Sequence, residues 1–197
     1  MASLILDRPV RRGEALCVQT RLERVTPSAF DFVVTFDGGA RDLDGRVAGA
    51  GACLWGNMEQ YGDRRPLAHA FVALPDEQHA QVAEAWGCAA AIKILMAHAN
   101  CSSRILFAGD NLAVVRFAAA QGFLKRPSMA GPLHTYLSRL SLTGHLSTWI
   151  AVRRRHNKAA DALATHALSL ALDLRERGLH GAHMTHGTGW PTHLALP

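Results

Sequence analysis

The chain has 197 residues, a length suited to one domain with one sizeable core, and its 49% apolar and 19% charged residues exclude the disordered class. No apolar run reaches the roughly 20 residues of a membrane-spanning helix, and Asp7 and Arg8 interrupt the start where a secretory segment would stay apolar, so no membrane partner and no secretion are expected. The net charge of +5 is unevenly placed: between Asp110 and Asp161 there is no acid, while Arg116, Lys125, Arg126, Arg139, Arg153, Arg154, Arg155 and Lys158 crowd the same window.

Residues 1–29 mix charges with few apolar repeats and end in Thr26-Pro27-Ser28, which reads as an N-terminal arm or peripheral segment. Phe32 to Phe36 is β-branched and aromatic, and Val47 to Trp55 follows a polar turn holding Asp44-Gly45, a hairpin pattern. A third strand is expected over Leu67–Leu74. From Asp76 to about Ala99, apolar Val82, Ala85, Ala89, Ile92 and Met96 recur at steps of three and four, which predicts a long helix.

Arg104 to Ala108 is a short apolar run ending at Gly109-Asp110 and reads as a buried strand. Asn111 to about Ala120 predicts a helix, and Leu133 to Leu142 another, once Pro127, Gly131 and Pro132 have broken the chain. Leu146–Val152 predicts a fifth strand and Lys158–Arg177 a last helix stopped by Gly178. The order β-β-β-α-β-α-α-β-α places residues 30–177 in one α/β domain. Residues 178–197 read as a flexible tail; His180, His183 and His186 have a metal-ligand spacing, but Gly181 and Gly187 argue against a helix to present them. The cysteines at 17, 53, 88 and 101 form no CxxC pair, which points to an intracellular, reducing compartment with buried thiols.

Four acids stand at fixed points of these elements. Alternation puts Asp37 on the otherwise apolar face of Val33 and Thr35. Glu84 shares a helix side with Ala80, Cys88 and Ala91, with no Lys or Arg at ion-pair spacing. Asp110 ends a strand and Asp161 opens the last helix. Singly, Asp37 reads as a turn residue, Asp110 as a helix cap and Asp161 as a first-turn acid. Together, converging carboxylates repel until protons or cations relieve them. An all-oxygen set favours Mg²⁺ or Mn²⁺, and two such ions about 4 Å apart serve phosphoryl displacement. That chemistry agrees with the basic window, in which Lys125, Arg126 and Arg153–Arg155 are candidate phosphate contacts, with a merely solvated face as the alternative.

Phe36-Asp37-Gly38-Gly39-Ala40-Arg41, Gln81-Val82-Ala83-Glu84-Ala85-Trp86-Gly87, Ala108-Gly109-Asp110-Asn111 and Arg155-His156-Asn157-Lys158-Ala159-Ala160-Asp161-Ala162-Leu163-Ala164 together resemble the successive motifs of ribonuclease H. The resemblance spans about residues 30–177 and is closest to the branch found as stand-alone enzymes and in retroelement polyproteins. It implies a five-stranded mixed sheet, the first three strands antiparallel, flanked by helices. It implies two Mg²⁺ ions, with Asp37 bridging both, Asp161 on the ion carrying the attacking water, and Glu84 and Asp110 on the ion near the leaving oxygen.

The implied substrate is an RNA–DNA hybrid whose RNA strand is cut to leave a 5′ phosphate. Gly38, Gly39, Ala40 and Arg41 would lie beside the scissile strand, where backbone must come close to 2′-hydroxyls; Gln81, Asn111 and Asn157 stand at further substrate-side positions of the motifs. His156 lies where many members carry a mobile histidine that assists product release, and it reads equally as a phosphate contact or a capping residue. The family's Thr-Asn-Asn run before the helical Glu reads His79-Ala80-Gln81 here. A module that binds nucleic acid without turnover is therefore the alternative from another class, and a monomer is expected in either case.

Overall fold

The computed structural model describes residues 16–19, 30–41, 46–56, 66–77, 79–100, 102–120 and 127–195. Its strands are β1 (Leu16–Gln19), β2 (Phe32–Arg41), β3 (Val47–Trp55), β4 (Ala68–Leu74), β5 (Arg104–Gly109), β6 (Leu146–Ala151) and β7 (His183–Thr188). The helices are α1 (Ala80–Met96), α2 (Leu112–Ala118), α3 (Pro127–Leu142) and α4 (Lys158–Glu176), with a 3₁₀ turn at Arg154–His156 before α4. Every strand and helix expected between residues 30 and 177 forms, in the expected order.

One sheet runs in the order β1-β6-β5-β2-β3-β4-β7. β2, β3 and β4 are antiparallel neighbours, while β5 runs parallel to both β2 and β6. These five are the mixed sheet that the motifs imply. On one face α1, α2 and α3 enclose Phe36, Leu54, Ile92, Phe107 and Trp149, with the Phe107 and Trp149 rings stacked at 4.0 Å between centroids. On the other face α4 covers Val33, Cys53, Phe71, Leu106, Ile150 and Leu163. Burial on both faces is why β3 is apolar throughout instead of alternating. Among the described residues, no helix is long and apolar enough to cross a membrane.

Two edge strands enlarge the five-stranded expectation to seven. Within the N-terminal arm, β1 pairs in parallel with β6 through Cys17↔Trp149. The tail expected to be flexible instead supplies β7, antiparallel to β4 through Val72↔Met184. The reason is the edge of β4: a fully buried strand with one side unpaired would leave backbone donors and acceptors unsatisfied. Beyond β7, Trp190 and Leu194 pack on the α4-side core, and the Trp190 indole donates to Leu194 O at 2.9 Å. Helix α3 also starts earlier than expected. Pro127 is its first residue, where the missing N–H has no intrahelical partner anyway, and Pro132 gives up a single helical bond.

The distance between α4 and the sheet is set by Gly51 on β3. A Cβ there would lie 2.4 Å from Ala160 O and 2.6 Å from Ala164 N, so the helix backbone rests directly on the strand. Replacing Gly51 with Ala must lift the N-terminal half of α4, and an overpacked core of this kind loses about 1–3 kcal/mol. Gly39→Ala, whose Cβ would meet only Leu168 Cδ1 at 3.7 Å, is the control and shifts stability by less than about 0.5 kcal/mol. Urea unfolding of both variants checks this; equal midpoints would show that the close approach does not constrain the helix.

Candidate active site

From β2 the chain works outward through β3 and β4, returns over the sheet by α1 to β5, and then continues to β6 on the opposite side. The reversal lies between β2 and β5, and crevices at such switch points are where α/β sheets bind ligands. The last β2–β5 pair is Phe36↔Gly109. Beyond it, Asp37 continues β2 and Asp110 leaves β5, so the next residue of each strand is an acid at the mouth of the crevice. Helix α1 adds the third. A Cβ on Gly38 would lie 2.2 Å from Ala83 C and Glu84 N, so strand and helix backbones touch and Glu84 is brought beside Asp37.

Ligand oxygens of Asp37, Glu84 and Asp110 lie within 4.8 Å of one another. Asp37 is 3% exposed and Glu84 7%. Gly38 N donates to Asp37 Oδ1 at 2.8 Å, but Glu84 Oε2 and Asp110 Oδ1 are buried with no hydrogen-bond partner in the protein. Asp110 is not the cap of α2. Asn111 takes that position, its Oδ1 accepting from Ala113 N at 3.1 Å and Val114 N at 3.3 Å, and the Asp110 carboxyl is left to the cluster.

Burial, then the Asp110 charge, with the Gly38 N–H opposing and Asp161 reinforcing, pushes the Asp37 carboxyl up to about 8. Glu84 is raised well above its usual range by burial first and then by Asp37 and Asp110, with Arg154 opposing. The protein alone therefore keeps protons on these acids near neutrality. Two orphaned carboxylate oxygens in an all-oxygen set fit a hard divalent cation of the Mg²⁺ or Mn²⁺ kind, which would take the place of those protons.

Asp161 stands in the first turn of α4, beside Asp37 but outside the three-acid group. Arg154 reaches it from the 3₁₀ turn, donating from Nε to Oδ1 at 3.1 Å and from Nη2 to the same oxygen. Asn157, expected on the substrate side, is 1% exposed, and its Nδ2 donates to Phe36 O at 2.7 Å. It ties the start of α4 to the strand residue preceding Asp37, and it makes no side-chain cap. The N-cap position falls on Asn157 and not on His156, which instead accepts from Arg155 Nε at 3.0 Å.

Gly38 to Ala40 are half-buried along β2 beyond the β5 pairing, Arg41 is exposed at its end, and Gln81 is exposed in the first turn of α1. Lys125 and Arg126 lie outside the described residues. In the sequence Arg154 reads only as a phosphate contact, and the one signal of its pairing with Asp161 is position, seven residues before that acid.

The raised carboxyls fix a pH dependence. A group whose folded pKa exceeds its unfolded value adds stability below the unfolded pKa and loses it as pH rises through the folded one. For Asp37 that window runs from 3.8 to about 8. Without divalent cations, the stability of Asp37→Asn relative to the parent rises across this window and is greater at pH 8 than at pH 5 by on the order of 1–3 kcal/mol. Saturating Mg²⁺ removes that advantage. Chemical unfolding of both proteins at the two pH values checks the difference, and a constant offset would contradict burial of a repelling carboxylate.

No family model matches the chain, and no curated protein does. Solved structures do. The N-terminal RNase H domain of a Mycobacterium tuberculosis protein superposes with a TM-score of 0.63 at 23% identity, covering 74% of this chain and 99% of that one. RNase H1 of the halophilic archaeon Halobacterium salinarum gives 0.55 at 24% identity, over 70% and 97%. LC11-RNase H1, solved in complex with an RNA/DNA hybrid, gives 0.59 at 19% identity, over 72% and 99%. On these superpositions, this chain has the ribonuclease H fold.

Proposed function

We propose that the protein is a metal-dependent endonuclease that hydrolyses the RNA strand of RNA–DNA hybrids, leaving a 5′ phosphate. The observation carrying this reading is the group of buried Asp37 and Glu84 with half-buried Asp110, two of whose oxygens are buried without a protein partner, at the switch point of a ribonuclease H fold. Two Mg²⁺ ions would be held by these acids together with Asp161, with Asp37 shared. When bound, such ions supply a nucleophilic water and charge stabilisation for both oxygens of the displacement.

The chain's own residues bind and orient the substrate. Asp37 to Arg41 extend past the last β2–β5 pair, so this length of backbone can approach the minor groove and the 2′-hydroxyls that distinguish RNA. Small Gly38, Gly39 and Ala40 keep the approach close. Arg153, Arg155 and Lys158 are exposed around the start of α4 and supply positive charge for flanking phosphates. Arg154 holds Asp161 in place until a cation competes for the same oxygen. Asn157 fixes the height of α4 against β2 and acts as a positioning residue.

Incubation with labelled RNA–DNA hybrid, duplex DNA and duplex RNA, each with Mg²⁺ or with chelator, tests the reading. Cleavage of the hybrid alone, only with the cation, is the expected result. Asp37→Asn keeps the fold and falls below about a tenth of the parent rate, because a shared ligand carries several kcal/mol of charge stabilisation. Cleavage surviving chelation, or an Asp37→Asn variant above that level, contradicts the assignment. Hybrid binding without cutting by the parent would identify the non-catalytic module instead.

A further inference from the structure

The histidines of the C-terminal segment are not a set. His180 pairs with Asp76 at 3.0 Å, His183 Nε2 donates to His180 O at 3.1 Å, and His186 lies on β7. The spacing of three therefore builds no common site. A different histidine does converge with a partner: His193 Nε2 lies 3.4 Å from Nε2 of His166 on α4.

The His166 ring is backed by an aromatic neighbour, and the exposed His193 stands in a closed turn. The His166 ring meets the Phe71 ring edge-on, with centroids 4.9 Å apart and planes at 86°. His193 sits in a turn closed by Leu194 N donating to Pro191 O at 3.0 Å and by the Trp190 indole donating to Leu194 O at 2.9 Å, with Pro191 buried. At 3.4 Å the separation lies at the outer end of a hydrogen bond between the two rings. It matches the bite of one ion: two imidazole nitrogens at about 2.0–2.1 Å from a tetrahedral cation stand roughly 3.3–3.4 Å apart.

We propose that His166 and His193 form a second metal site, separate from the carboxylates, that takes a late first-row divalent cation such as Zn²⁺, Ni²⁺ or Cu²⁺. Two imidazoles suit these ions and not Mg²⁺, so the two centres select different metals by donor chemistry. Solvent completes the coordination. The ion would staple α4 to the segment following β7 and so lock the edge strand onto β4; a ligand bound only to the folded chain raises stability in proportion to the logarithm of its concentration.

The full chain, with Mg²⁺ saturating the carboxylates, is titrated with Zn²⁺ while its melting temperature is followed, and with Cu²⁺ for electron paramagnetic resonance. The parent shows a rising Tm that chelator reverses and a Cu²⁺ spectrum with two equatorial nitrogens. His166→Gln and His193→Gln each weaken binding at least tenfold and lose one of those nitrogens. A triple variant, His180→Gln with His183→Gln and His186→Gln, keeps both signals. Each Gln variant is compared with its own metal-free melting curve, which separates lost binding from lost folding. Parent-like affinity in either single variant, loss of the signals in the triple variant, or no Tm response in the parent overturns the proposal.

Discussion

Carboxylates packed together inside a protein repel one another, and here the backbone forces the packing. Gly38 lets β2 touch α1 at Ala83 and Glu84, and Gly51 lets β3 touch α4 at Ala160 and Ala164. Neither contact leaves room for a methyl group. With both helices seated, Asp37, Glu84 and Asp110 have no alternative to sharing one small volume, and Asp161 faces them from α4. Two consequences follow from that constraint. Asp37 and Glu84 hold protons near neutral pH when no cation is present, and a hard divalent ion would take the place of those protons.

Other features keep this unfavourable arrangement in register. Asn157 spends its amide on Phe36 O, one residue before Asp37, so the helix carrying Asp161 cannot slide along the strand. Asn111 caps α2, which spares Asp110 that task. Arg154 is the one cation seen bonded to a site carboxylate among the described residues, and it is bonded to the half-buried Asp161, outside the three-acid group. Among the described residues, the three inner acids have no basic side chain bonded to them. A permanent ion pair there would fill the place a cation would take, and the exposed Arg153, Arg155 and Lys158 stand at the rim around the start of α4.

Much of this was legible in the sequence because it rests on local periodicity. Alternation placed Asp37 on a buried face, helical spacing isolated Glu84 from any basic partner, and Gly109-Asp110 marked a strand end. What stayed hidden depends on partners distant in sequence. Asn157 reads as a substrate-side residue of its motif, and only the fold reveals Phe36 O, 121 residues away in the chain, as its acceptor. His183 to Thr188 lacks the apolar alternation of a strand, with Met184 its one apolar side chain on the core; the need of β4 for a partner makes it one. The His166–His193 pair is non-local in the same way, joining a helix to a tail turn.

Proton release on metal binding tests the central claim most directly. The metal-free chain is titrated with Mn²⁺ at pH 7 in buffers of different ionisation enthalpy, which counts the protons leaving per chain. Net release is predicted at pH 7, fading as the pH rises above about 8 where Asp37 has already ionised, and falling in Asp37→Asn. Binding with no proton exchange at pH 7, or with the same release in Asp37→Asn, would show that the cluster does not hold the protons its burial and mutual repulsion require.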